Sequence, residues 1–103
     1  MDQEIIINIE VTNANELFLG IESNGKSIYQ HIYRGAAGVY WDEKNHGFKS
    51  TPLKKRSHSE WFSHIVSLVK SCLGVELQLN SKATWSNIPE NEILKITNEH
   101  SAI

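Results

Sequence analysis

Cysteine is all but missing from this chain of 103 residues, where Cys72 stands alone. One thiol excludes an internal disulfide and leaves no Cys cluster with zinc-site spacing. Long apolar runs are missing as well. The stretch Ile5-Ile-Ile7 follows an acidic start, Met1-Asp-Gln-Glu4, and is far shorter than a signal-peptide core or a membrane span of about 20 residues. No export or membrane signal is read, and a reducing cytosol suits the chain. There is no Pro, Gly or Ser tract and no internal repeat, so residues 1–103 are read as a single domain, large enough for an unassisted core.

The familiar signatures of chemistry are absent too. Five histidines form no His-x-His pair and no close helical pair, and no phosphate-binding glycine loop or Gly-x-Ser-x-Gly elbow occurs. No metal, cofactor or catalytic residue is therefore assigned. Asp42-Glu-Lys44, with His46 nearby, has the residue types of metal-assisted phosphodiester cleavage. They are also what an exposed turn contains, and no partner carboxylate is fixed by spacing.

Charge is unevenly spread. Residues 1–25 carry five acids and no base; residues 26–56 carry seven bases against Asp42 and Glu43; the remainder has five acids and three lysines. Lys49, Lys54, Lys55 and Arg56, with Tyr40, Trp41 and Phe48 upstream, combine cations for phosphates with rings for bases, the ingredients of a polyanion site. A solvated basic loop has the same composition, and the net charge of the whole chain is -2.

What the chain does have is periodicity. Ile5, Ile7, Ile9 and Val11 alternate with polar residues as in a half-buried strand. Asn13-Ala-Asn15 offers a hairpin loop, with Asn15 able to take a left-handed conformation. The next strand covers residues 16–22, and Asn24-Gly25 predicts a second hairpin into a strand over residues 26–34. The two turns together place Ile5, Ile7, Ile9, Val11, Leu17, Leu19, Ile21, Ile28 and Ile32 on one buried face. The opposite face then carries Ile6, Asn8, Glu10, Phe18, Gly20, Tyr29, His31 and Tyr33, with Tyr29 over Gly20.

Two further strands are predicted at Val39-Tyr-Trp41 and over residues 48–51, with Pro52 as a stop. Ser57-His-Ser-Glu60 has capping-box spacing and opens an amphipathic helix whose apolar stripe includes Trp61, Phe62, Ile65, Val69 and Cys72, ending at Gly74. Cys72 is expected to be a buried structural thiol. Val75-Glu-Leu-Gln-Leu79 alternates as a strand, and Asn87-Ile-Pro-Glu-Asn91 opens either a short C-terminal helix or a strand over residues 92–97. The fold class that follows is α+β: a mostly antiparallel sheet, built from an N-terminal meander and further strands, with one main helix on one face and a short C-terminal helix.

In length, single-domain character and lack of familiar motifs, the chain resembles the small orphan proteins encoded by bacterial mobile gene cassettes, as in integrons. That resemblance implies a bacterial cytosolic protein and assigns no functional residue. The residues themselves favour a non-enzymatic binding module that self-associates as a homodimer or larger assembly through Phe18, Tyr29, His31 and Tyr33. Alternatives are a nucleic-acid binder using Lys49, Lys54, Lys55 and Arg56, and an immunity-type protein that neutralises a basic toxin.

Overall fold

The computed structural model describes residues 2–35, 38–52 and 56–100. Strands β1 (Asp2–Val11) and β2 (Glu16–Ile21) form the predicted hairpin, with Val11 opposite Leu17 and Ile9 opposite Leu19. Asn15 takes φ 61°, a conformation that Asn tolerates. Toward the N-terminus the predicted register fails. A bulge between Ile6 and Asn8 sets Ile6, rather than Ile7, opposite Ile21. One extra residue turns over every side chain that precedes it. Glu4 and Ile6 therefore lie in the core, while Ile5 is half-buried and Ile7 is 39% exposed.

The third strand of the predicted meander does not form. Residues Ser27–Gly35 are a 3-10 helix, and its turn of three residues sets Tyr29, Ile32 and Gly35 on one side. Tyr29 and Ile32 are fully buried, and Gly35 lies against Leu68 and Cys72. Ile28, expected in the core, is half exposed. Gly25 does take a positive φ of 80°, but it packs under the Trp41 ring instead of returning the chain along β2. The edge of β2 that this segment would have used belongs to another strand.

That strand is β4 (Gly47–Pro52), which pairs antiparallel with both β2 and β3 (Val39–Asp42). An extra residue in β4 breaks the ladder beside Leu17, whose N–H donates 2.9 Å to the hydroxyl of fully buried Ser50. β5 (Val75–Ser86) lies parallel to β1 and runs past the predicted end at Leu79. The five-stranded order is β3-β4-β2-β1-β5, antiparallel except at the last pair.

Helix α1 (His58–Leu73) begins as predicted: the Ser57 hydroxyl accepts from Glu60 N–H at 3.2 Å, and the Glu60 carboxylate accepts from Ser57 N–H at 3.0 Å. Gly74 ends it with φ 67°. Helix α2 (Glu90–Glu99) follows Pro89 and docks through Glu92, whose buried carboxylate accepts from Ser59 N–H at 3.1 Å in the first turn of α1. The 3-10 helix, α1 and the Ile96 side of α2 join the sheet in one apolar cluster. Cys72 is not part of it. Cys72 is exposed at the edge of the stripe, where its neighbour on the short 3-10 helix is Gly35, which carries no side chain.

Candidate functional site

Register decides which side of the sheet each residue serves. Leu17, Leu19, Phe48 and Trp41 face the helices, and Tyr29 meets both Trp41 and Phe48, with ring centroids 5.3 and 5.5 Å apart. The residues between them face the other way. Across the sheet they form two rows: Tyr40, Lys49, Phe18, Glu10 and Ser86, then Asp42, Gly47, Gly20, Asn8 and Thr84. No described helix packs on this side.

Phe18 is the centre of that uncovered face. It is only 7% exposed, yet it stands outside the apolar cluster. Two glycines explain the burial. A Cβ at Gly47 would come within 2.5 Å of the Phe18 ring, and one at Gly20 within 3.0 Å, so the ring occupies the space that side chains there would fill. The aromatic-over-glycine arrangement expected for Tyr29 is thus made by Phe18.

Around the ring Asn8, Glu10, Thr12, Asp42 and Asn45 line a groove of about 260 Å3. The β3–β4 turn supplies its far wall. Asp42 Oδ1 accepts from the N–H groups of Lys44 and Asn45, both at 3.1 Å, and Oδ2 accepts from Asn45 Nδ2 at 3.0 Å. Burial pushes the Asp42 carboxyl up, but the Asn45 bonds, the charge of Lys49 and the Lys44 N–H outweigh it and hold the group below its ordinary value. On the near wall, Thr84 donates to Asn8 Oδ1 at 2.9 Å. Lys49 Nζ lies 4.0 Å from Glu16 Oε1, to which Thr12 also donates at 3.3 Å. Carboxylates and amides surrounding a phenyl floor can hold a ligand; they provide no activated nucleophile.

A larger, shallower groove of about 520 Å3 runs along α1 past Arg56, Ser63, His64 and Glu99. Here Ser63 Oγ and His100 Nε2 are 2.9 Å apart, the spacing of a nucleophile and its base. The backbone argues against that use. Ser63 lies inside α1, where its N–H is committed to the helix, so no pair of free N–H groups converges on an oxyanion. His100 also packs on Phe62 with centroids 4.7 Å apart, which makes the pair an anchor for the end of α2. Among the described residues no group of three or more His, Cys, Asp or Glu could hold a metal ion, and no helix is long and apolar enough to cross a membrane.

The sequence-predicted aromatic set is therefore divided. Phe18 lies on the uncovered face; Tyr29 is core, its hydroxyl donating to Glu4 Oε2 at 2.5 Å; His31 and Tyr33 are exposed on the 3-10 helix, Tyr33 at 52%. The basic set is divided as well. Lys49 is on the uncovered face, whereas Arg56 sits on the helix side, 5.1 Å from the Trp61 ring centroid. Lys54 and Lys55 lie outside the described residues. Asn8 and Glu10 already stood beside Phe18 in the predicted register. Asp42 and Asn45 did not, because only the pairing of β4 with β2 brings their turn across the sheet.

No family model matches the chain, and no curated protein does. Among solved structures it is similar to Hfx_Cass5, an integron cassette protein from the mobile metagenome of the North West Arm sewage outfall. The two are 28% identical over 95% of each chain, with a TM-score of 0.44.

Proposed function

We propose that this protein is a non-enzymatic binding module and that its contact surface is the uncovered sheet face centred on Phe18. One observation carries the reading: a large ring is kept out of the core, seated over two glycines, at the floor of a groove lined by polar side chains. A sheet that needed only one apolar face has no structural use for that groove. Titrating the labelled protein with small neutral fragments, followed by amide NMR, tests it. Shifts should gather at Asn8, Glu10, Phe18, Asp42 and Asn45. Shifts confined to the α1 groove from Arg56 to Glu99 would refute the assignment.

Self-association is a second reading, favoured by Ile28 and Tyr33, which expose 49% and 52% of their surface on the 3-10 helix. The nucleic-acid alternative draws less support, since Lys49 and Arg56 lie on opposite sides of the sheet and Lys49 faces Glu16.

A further inference from the structure

The uncovered face carries more acid than base. Glu10 and Asp42 stand on two walls of the groove, and Glu76 continues the same side of the sheet on β5. On this face Lys49 points to Glu16 and Lys82 stands out on the β5 edge, so among the described residues Glu10 makes no ion pair and the Asp42 carboxylate is hydrogen-bonded to amides of its own turn. The groove floor is a phenyl ring, whose negative face attracts a cation. At about 260 Å3 the space suits one long side chain rather than a folded element.

From this complementarity we infer that the groove seats a lysine or arginine side chain projecting from a basic partner protein. The inference rests on the binding reading above and adds the chemistry of the partner. The alkyl stem lies along Phe18, and the charged head meets Glu10 and the carbonyl oxygens of Asn8 and Asn45. Acid on the surrounding sheet draws the partner in and sets its orientation, so association is faster and tighter at low ionic strength.

The test is titration of the full chain with a hexa-arginine peptide amide, read by amide NMR and calorimetry, beside a hexaglutamate control. The arginine peptide should saturate with shifts at Asn8, Glu10, Asp42 and Asn45, and its affinity should fall as salt rises. Glu10→Lys should weaken it on the order of tenfold, as expected for reversing a charge at the contact. Glu90→Lys, the same charge change on α2, should leave it within about twofold. Equal weakening by both variants, shifts away from the groove, or no binding at low salt would each overturn the inference. If neutral fragments mark the face while the arginine peptide does not, the cationic partner is wrong and the binding face stands. If neither marks it, both fall.

Discussion

The hydroxyl of Tyr29 donates to Glu4 Oε2 at 2.5 Å, joining the 3-10 helix to β1 inside the protein. Ser23 donates to the other carboxylate oxygen at 2.8 Å, and Lys26 pairs with Asp2 nearby. Glu4 is on the core face only because the β1 bulge turned it inward, so this clasp compensates for a buried acid that a regular strand would have exposed. Tyr29→Phe should cost about 1–3 kcal/mol, since it leaves a buried acceptor short of its donor. Urea unfolding measures it, with Tyr33→Phe as an exposed control expected to change little.

The same tyrosine sets an alkaline limit. Burial first, then the Glu4 hydrogen bond and the charges of Glu4 and Asp2, raise its pKa above the ordinary 10.0. A raised folded pKa gives stability that is fully present below the unfolded value and lost as pH rises above it. Thermal unfolding should therefore show stability falling above about pH 10, and Tyr29→Phe should flatten that decline. His100 works in the opposite direction. Burial lowers its pKa below 6.5, partly opposed by Glu99, so its contribution is present above that value and lost as pH falls through the lowered one. His100→Gln should reduce the loss of stability just below pH 6.5.

How far the fold was legible in the sequence depended on the range of the interactions. Ser57, Glu60 and Gly74 specify α1 because a cap is made within a few residues, and Asn15 specifies its hairpin for the same reason. The 3-10 helix was not legible. Its buried residues, Tyr29 and Ile32, recur at three, but in so short a segment the alternation of Tyr29, His31 and Tyr33 reads equally well as a strand. What decided between them is distant: β4 occupies the edge of β2, and the Trp41 ring closes over Gly25. The Ile5-Ile-Ile7 run hid the bulge, because three identical apolar residues fit either phase of a strand. The site followed suit. Phe18, Asn8 and Glu10 were placed together by the first hairpin, whereas Asp42 and Asn45 needed a long-range pairing.

Gly47→Ala should destabilise the protein by about 1–3 kcal/mol, the range for forcing a methyl into packed space. The added Cβ would meet the Phe18 ring and the Leu19 carbonyl, both at 2.5 Å. Denaturant unfolding gives the cost. The Gly47→Ala, Phe18→Ala double variant should not regain full stability, because the backbone clash with Leu19 persists.

Both ends of the helix layer meet at the start of α1. Glu92→Ala removes the acceptor for Ser59 N–H and the acid 3.7 Å from His58 Nδ1. Ser57→Ala removes the cap on Glu60 N–H and the 3.1 Å hydrogen bond to the Ser59 hydroxyl, and should cost about 1 kcal/mol. Glu92→Ala should cost more, up to about 3 kcal/mol, because its site is buried, and hydrogen exchange should quicken throughout α2. Equal costs would mean that α2 docks by its apolar side alone.

If the protein self-associates through its 3-10 helix, Tyr33→Asp should dissociate it without unfolding, since Tyr33 is half exposed. Light scattering and circular dichroism read the two effects separately. A monomeric wild type at high concentration would dismiss the assembly.

The most direct test of the binding account is solvent relaxation by a soluble gadolinium chelate, measured on amides with and without the arginine peptide. In the free protein, enhancement should be strong at Glu10, Tyr40, Lys49 and Thr84, as befits a face that no described helix covers, and addition of the peptide should suppress it there. Protection of those four positions in the free protein, or suppression along α1 or the 3-10 helix with none on the sheet, would contradict the account.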